Sequence, residues 1–175
     1  MYTTFEAETK KQFLSGRSLV TLELDKVLRQ LVSHAKSVYG RELCEQILPC
    51  TNIAMVEQLQ QETDDAVTYL QREGQLPLSG FSEIRDSIAL LRANGTLSMK
   101  SLLEIACFLR AVDRLKKVLP SDKNDSTSSS LFARIRMLMQ VSSLEKELSF
   151  CILSEDEMND RASDKLYQIR RSIRE

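Results

Sequence analysis

The stretch NIAMVEQLQQETDDAVTYLQREG, residues 52–74, carries both ends of one helix in its own text. Asn52 is a side chain that can accept from the unpaired N–H groups of a first turn. Val56, Leu59, Thr63, Ala66, Val67 and Leu70 recur at three- and four-residue steps, which predicts an amphipathic helix from Ile53 to Glu73. Gly74 is a natural terminator, because glycine enters the left-handed conformation that closes helices without a Cβ penalty.

The same grammar extends to both sides. Upstream, Met1–Ser15 reads as a short helix with Phe5 and Phe13, ended by Gly16, and Ser18–Leu22 as an extended lead-in. Leu24, Val27, Leu28, Leu31 and Val32 predict a helix over Glu23–Lys36. Ser37 can cap the next, through Tyr39, Leu43, Ile47 and Leu48, with a stop at Pro49. Downstream, a loop at Gln75–Gly80 leads to a helix over Phe81–Ala93, expected to bury Ile84, Ile88 and Leu91 and to end at Asn94-Gly95. Ser98 caps Met99–Leu119, with Leu102, Ile105, Leu109, Val112 and Leu119 inward.

Pro120–Ser130, rich in Ser, Asp, Asn and Lys, reads as a mobile loop. Helices are predicted again at Leu131–Gln140 and Leu144–Phe150, the latter opened by a Ser142/Glu145 capping box. Ser154–Asp160 is an acidic turn that can form a small hairpin with Phe150–Leu153. The last helix, Ser163–Glu175, has Leu166, Ile169 and Ile173 on one stripe and Arg170, Arg171 and Arg174 off it. It runs without a stop signal, which suggests that it continues in a longer protein; a natural terminal helix that frays is the alternative. The fold class is all-α, an irregular antiparallel helical bundle. It divides as an N-terminal extension (1–17), a helical core (18–119), the loop (120–130) and a second helical part (131–175).

Composition fits this reading. Five glycines and three prolines in 175 residues favour long helices, and 42% hydrophobic residues supply a core of Leu, Ile, Val and Met, since Trp is absent. A net charge of −1 argues against a dedicated nucleic-acid binder with a strongly basic surface. The charge is uneven, however. Residues 143–160 hold Glu145, Glu147, Glu155, Asp156, Glu157 and Asp160 against Lys146, whereas 161–175 hold Arg161, Lys165, Arg170, Arg171 and Arg174 against Asp164 and Glu175. Adjacent blocks of opposite sign are expected to pair internally. Cys44, Cys50, Cys107 and Cys151 form no C-x-x-C pair and lie in or beside apolar helical text, so buried free thiols in a reducing cytosol are expected. The text holds neither a secretory signal at Met1–Lys11 nor a stretch that could cross a membrane.

Chemistry is sparse. Gly74 and Gly80 do not form a phosphate loop, and no lysine follows them at the required spacing. His34 is the single histidine and reads as a surface residue rather than a base. Cys44 and Cys50 have no further ligands close in sequence, so no metal site is expected. Catalytic, cofactor and metal residues are therefore all expected to be absent. Two basic groups remain as candidate nucleic-acid contacts. Arg110, Arg114 and Lys117 fall at i, i+4 and i+7 of one helix, and Arg170, Arg171 and Arg174 cluster on the last. The competing reading of both is an ordinary solvated face.

A series of short segments resembles one family. It comprises Thr21-Leu22-Glu23-Leu24-Asp25-Lys26-Val27, Gly40-Arg41-Glu42-Leu43 leading to Leu48-Pro49, Glu62-Thr63-Asp64-Asp65-Ala66, Pro77-Leu78-Ser79-Gly80-Phe81, Ile84-Arg85, Gly95-Thr96-Leu97-Ser98, and Asp160-Arg161-Ala162-Ser163 with Ile169-Arg170-Arg171-Ser172-Ile173-Arg174. In this order they resemble the N-terminal region of the second branch of bacterial MutS homologues. Where relatives often have Gly before Asp160, this chain has Glu155-Asp156-Glu157-Met158. The resemblance implies a core domain from which the last helix starts a lever. It also implies a cytoplasmic, homodimeric parent protein with an ATPase domain using ATP and Mg and an Smr nuclease domain, all beyond Glu175. That parent would act on branched DNA in recombination suppression or on stalled ribosomes. A free-standing helical adaptor that binds a protein partner through an apolar stripe is the alternative.

Overall fold

The computed structural model describes residues 16–119 and 130–174, with side chains from residue 19. Those residues are all-α, a helical bundle: α1 Gly16–Thr21, α2 Leu24–His34, α3 Val38–Glu45, α4 Ile53–Glu73, α5 Arg85–Arg92, α6 Met99–Lys116, α7 Ser130–Met137, α8 Ser142–Cys151 and α9 Asp164–Arg174. A 3-10 turn, Asp160–Ala162, precedes α9. Outside the helices, an isolated antiparallel bridge joins Ile152 and Met158. The region read as a helix at Met1–Ser15 and most of the expected mobile loop lie outside the described residues.

The chain forms two compact units, residues 1–49 and 50–175, which divide within the segment that the sequence reads as one core. In the first, α2 packs on both α1 and α3. Ser18–Leu22 is not an extended lead-in: Gly16–Thr21 is helical, and Glu23 in the left-handed region (φ 54) turns it into α2. The β-branched Val20 and Thr21 are weak priors that local helical bonding overrides. Ser37 caps α3 as expected, accepting from the Gly40 N–H at 3.0 Å. The helix ends at Glu45 rather than running to Leu48, because Pro49 offers no N–H and disfavours helix in the residue before it.

In the second unit α6 is the hub, packed against α8 and α7, while α4 packs on α7. Its core is Ile84, Ala106, Ala111, Val112, Leu115, Ile135 and Ile152. Of the five α6 positions expected inward, only Val112 is fully buried; alanines fill the closest approaches. Ala111 lies under the Ser79–Gly80 turn: a Cβ added to Gly80 (φ 87) would meet the Ala111 methyl at 3.6 Å and Arg114 Nη2 at 2.9 Å. The expected Phe81–Ala93 helix starts four residues late. Phe81 is used instead as an edge-on partner of Phe108, with ring centroids 5.4 Å apart. Ile84 is buried, and Glu83 accepts from the Arg85 N–H at 3.0 Å, capping α5 from outside the helix. Ile88 and Leu91, expected to be buried, are exposed. Asn94 (φ 57) closes α5.

The cysteines are free thiols, but the expectation of burial is not met: Cys50 and Cys107 are exposed, and Cys44 and Cys151 are only half-buried. The thermal midpoint is therefore expected to be unchanged by reductant. Cys50 and Cys107 should react with a thiol reagent in the native state, faster than Cys44 and Cys151. A large drop in the midpoint on adding reductant would reveal a disulfide and contradict this structure.

Candidate functional site

Residues 151–174 form a joint that holds α9. It begins with the end of α8. Ile152, 3% exposed, leaves the helix and bridges to Met158. The Leu153 N–H donates to the Glu157 carbonyl at 2.9 Å, and the Asn159 N–H to the Cys151 carbonyl at 2.8 Å. The small hairpin read from the sequence is thus present as a bridged turn. Its residues stay out of the left-handed region, so Glu155-Asp156-Glu157-Met158 makes the turn without glycine.

Asn159 ties both ends of the turn. Its Nδ2 donates to the Phe150 carbonyl at 2.9 Å, and its Oδ1 accepts from the Arg161 N–H at 3.0 Å. Ser163 then caps α9, its hydroxyl accepting from the Leu166 N–H at 3.2 Å. Asp160 is the anchor. One carboxylate oxygen accepts from Arg170 Nη1, which also donates to the Met158 carbonyl at 2.9 Å. The other accepts from Arg174 Nη2 at 3.1 Å. The hydrogen bond from Arg170, aided by the charges of both arginines, holds the Asp160 carboxyl below the usual carboxylate range against a smaller opposing effect of desolvation. Two successive turns of α9 are thereby fastened to the turn that precedes the helix.

The predicted cationic groups take these places. Arg110 does not stand free on α6: its guanidinium bonds Glu145 of α8 at 2.9 Å and Ser149 Oγ at 2.7 Å. Arg114 donates to the Ser79 carbonyl at 2.7 Å. Lys117 is exposed, just past the end of α6. Arg170 and Arg174 share Asp160, and Arg171 is exposed on α9. The structure thus brings together Arg170 and Arg174, and separately aligns Arg110 and Arg114 as braces between α6 and its neighbours. The opposite charge blocks do pair, at Asp160.

The sequence reading missed the carboxylates that organise these braces. Asp113 receives Ser142 Oγ at 2.8 Å and Gln140 Nε2 at 3.2 Å. The Ser142/Glu145 capping box is accordingly not formed: Val141 is the N-cap, Ser142 bonds Asp113, and Glu145 serves Arg110. Asp65 on α4 accepts from both the N–H and the hydroxyl of Ser130, at 2.7 and 2.9 Å, and so caps α7. Glu62 pairs with Arg134 at 2.5 Å, and Tyr69 meets Phe132 edge-on. These partners are 27 to 72 residues apart, beyond any local pattern.

Gly74 and Gly80, at positive φ, close a helix and a turn rather than opening a helix toward phosphate. Among the described residues no three His, Cys, Asp or Glu side chains could hold a metal ion, and no helix is long and apolar enough to cross a membrane.

No family model matches the chain. Individual proteins do. It is 37% identical over 162 residues to Endonuclease MutS2 of Acetivibrio thermocellus, covering 92% of this chain and 20% of that protein. Endonuclease MutS2 of Ruminiclostridium cellulolyticum is 39% identical over 154 residues (88% and 19%). The Lachnoclostridium phytofermentans protein of the same name is 36% identical over 166 residues (92% and 21%). The chain spans about a fifth of the length of the curated relatives it matches. On that likeness the chain is a MutS2-type N-terminal region.

Proposed function

We propose that this region works as a mechanical connector in a MutS2-type protein, with α9 as the start of a lever. The observation that carries this reading is the Asp160 joint. A lever transmits motion only if its base is stiff. Here Arg170 and Arg174 fasten α9 to a bridged turn, and that turn is continuous with α8, which packs on the α6 hub. Packed helices of this kind move as rigid elements between discrete arrangements rather than deforming continuously.

In this reading ATP and Mg are handled elsewhere in the protein, and nuclease chemistry likewise. The region itself supplies no catalytic residue. The whole protein acts in the cytoplasm as a homodimer on branched DNA or on stalled ribosomes. Nucleic-acid affinity of the region alone is weak, salt-sensitive and blind to sequence, because exposed Lys117 and Arg171 offer only phosphate-type contacts.

The test is a graft. The matching segment of the Acetivibrio thermocellus protein is replaced by this chain, with and without Asp160→Ala. The connector reading expects nucleic-acid or ribosome affinity without nucleotide to be retained in the variant, while the change in affinity on adding ATP falls about tenfold or more. An unchanged response to ATP would sink the lever role. ATP hydrolysis by the chain on its own, abolished by a substitution within it, would sink the assignment of chemistry to other domains.

A further inference from the structure

We propose that the end of α6 and the segment leaving α7 form a docking site for an acidic, amphipathic peptide of a partner protein, with Met137 and Met139 as its apolar contacts. This surface is independent of the connector reading. It lies at the opposite end of α6 from the joint: Lys100, in the first turn of α6, reaches Glu155 at 3.9 Å, and the helix is about 27 Å long.

The site is built by the way the chain leaves α7. Lys116 Nζ donates to the Arg136 carbonyl at 3.4 Å, and Gln140 Nε2 donates to Asp113 at 3.2 Å, so residues 136–140 run back along the last turn of α6. The Leu138 N–H donates to the Ile135 carbonyl at 3.2 Å, and Leu138 itself is half-buried. Met137 and Met139, on either side of it, are 85% and 80% exposed, more than any other large hydrophobic side chain among the described residues. Single exposed apolar side chains need no explanation. Here two long ones stand two residues apart on a segment tied at both ends. Methionine is unbranched and polarizable, and it adapts its shape to whatever covers it.

The charge beside this pair selects the occupant. Lys116, Lys117 and Arg136 stand at its Met137 end. Lys116 is tied to a carbonyl, while Lys117 and Arg136 are exposed and have no ion-pair partner among the described residues. Asp113, one turn back on α6, is engaged by Gln140 and Ser142, and Arg134 is held by Glu62 of α4. A cationic rim beside an apolar pair matches a segment that brings carboxylates and aliphatic side chains together. Nucleic-acid phosphates would meet the cations but leave both methionines in water. An anionic lipid surface would take both, yet two thioether side chains and three cations are too few for stable anchoring.

The test uses the full chain with methyl-labelled methionine and a synthetic helical peptide of about 16 residues, leucine on one face and glutamate on the other. Saturable shifts of the Met137 and Met139 methyl resonances are expected, with Met99 and Met158 as unshifted controls. The Kd should lie at about 10–100 µM, as for a small interface, and weaken several-fold between about 50 mM and about 500 mM salt. Met137→Ser with Met139→Ser, and separately Lys117→Glu with Arg136→Glu, should each weaken binding about tenfold or more. All four residues are exposed, and circular dichroism checks that each variant keeps its helices. The charge-reversed chain should instead prefer the peptide with lysine in place of glutamate. No shift up to about 1 mM peptide would overturn the proposal. Equal binding of a peptide with serine in place of leucine would also overturn it, since charge alone would then suffice. So would tighter binding to a DNA oligonucleotide or to phosphatidylglycerol vesicles than to the peptide, which would give the surface to another class of partner.

Discussion

Replacing Ile152 with alanine is expected to destabilise residues 50–175 by about 2–4 kcal/mol, the effect of removing a buried aliphatic side chain without collapse of the site. Ile152 is among the most buried residues of the chain, and it stands where α8 ends and the bridged turn begins. Its backbone is held on both sides, by the bond from its N–H to the Leu148 carbonyl at 3.0 Å and by the pairing with Met158. The turn therefore cannot shift far to fill the space, and the cavity persists. Urea unfolding followed by hydrogen exchange in α6 and α8 provides the measurement, because it reads this unit even if residues 1–49 unfold separately. A loss below about 1 kcal/mol would mean that the bridged turn relaxes freely and is no stiff base for α9. Substituting exposed Leu153 in the same way should change little, which separates burial from position.

The second large effect is expected at Asp160. Asp160→Ala should raise hydrogen-exchange rates in α9 about tenfold or more at neutral pH while leaving α6 and α8 unaffected. Removing the carboxylate takes away the partner that Arg170 and Arg174 share, and with it the tie between the second and third turns of α9 and the 3-10 turn. An eleven-residue helix is too short to hold itself in water, so loss of its anchor shows as local opening. The pH dependence has a definite sign. Arginine bonding lowers the Asp160 pKa in the folded state, so the stabilisation is present above the unfolded value near 4 and is lost as pH falls through the depressed folded value. Exchange in α9, corrected for its intrinsic acid dependence, should therefore accelerate below about pH 4 in the natural chain and lose this acid step in Asp160→Ala. Equal protection of α9 in the two proteins at neutral pH would show that the joint is ornamental. Asp160→Asn, which keeps shape and removes charge, is expected to fall between them.

Both effects depend on contacts that local sequence does not announce, and the helices themselves illustrate the contrast. Asn52 and Gly74 bracket α4 where the sequence places them, with Asn52 Oδ1 accepting from the Met55 N–H at 3.3 Å and Gly74 at φ 82. Ser37 and Ser98 cap their helices for the same reason. Capping is a bond across three residues, so its signal is contained in the segment that makes it. Phe81 and Ser142 show the limit. Each fits a helix start locally, yet Phe81 is claimed by Phe108 and Ser142 by Asp113, residues brought near only by packing. Arg110 and Arg114 are legible as a cationic row but not as braces, because their acceptors Glu145 and Ser79 lie 35 residues away on either side.

What the sequence by itself determined is the all-α class, the ends of the well-capped helices, the opposite charges that meet at Asp160, and, through its ordered motifs, the likeness to MutS2-type N-terminal regions. Those follow from periodicity, short-range bonding and identity of residues. The tertiary structure decided which face of each helix is covered. Helix α4 has its apolar row where periodicity puts it, yet meets α7 through Glu62, Asp65 and Tyr69. Periodicity fixes where a stripe lies on a helix, but burial depends on what stands opposite. Two charge-assisted bonds with an aromatic contact can turn a helix so that its apolar row faces away from its neighbour.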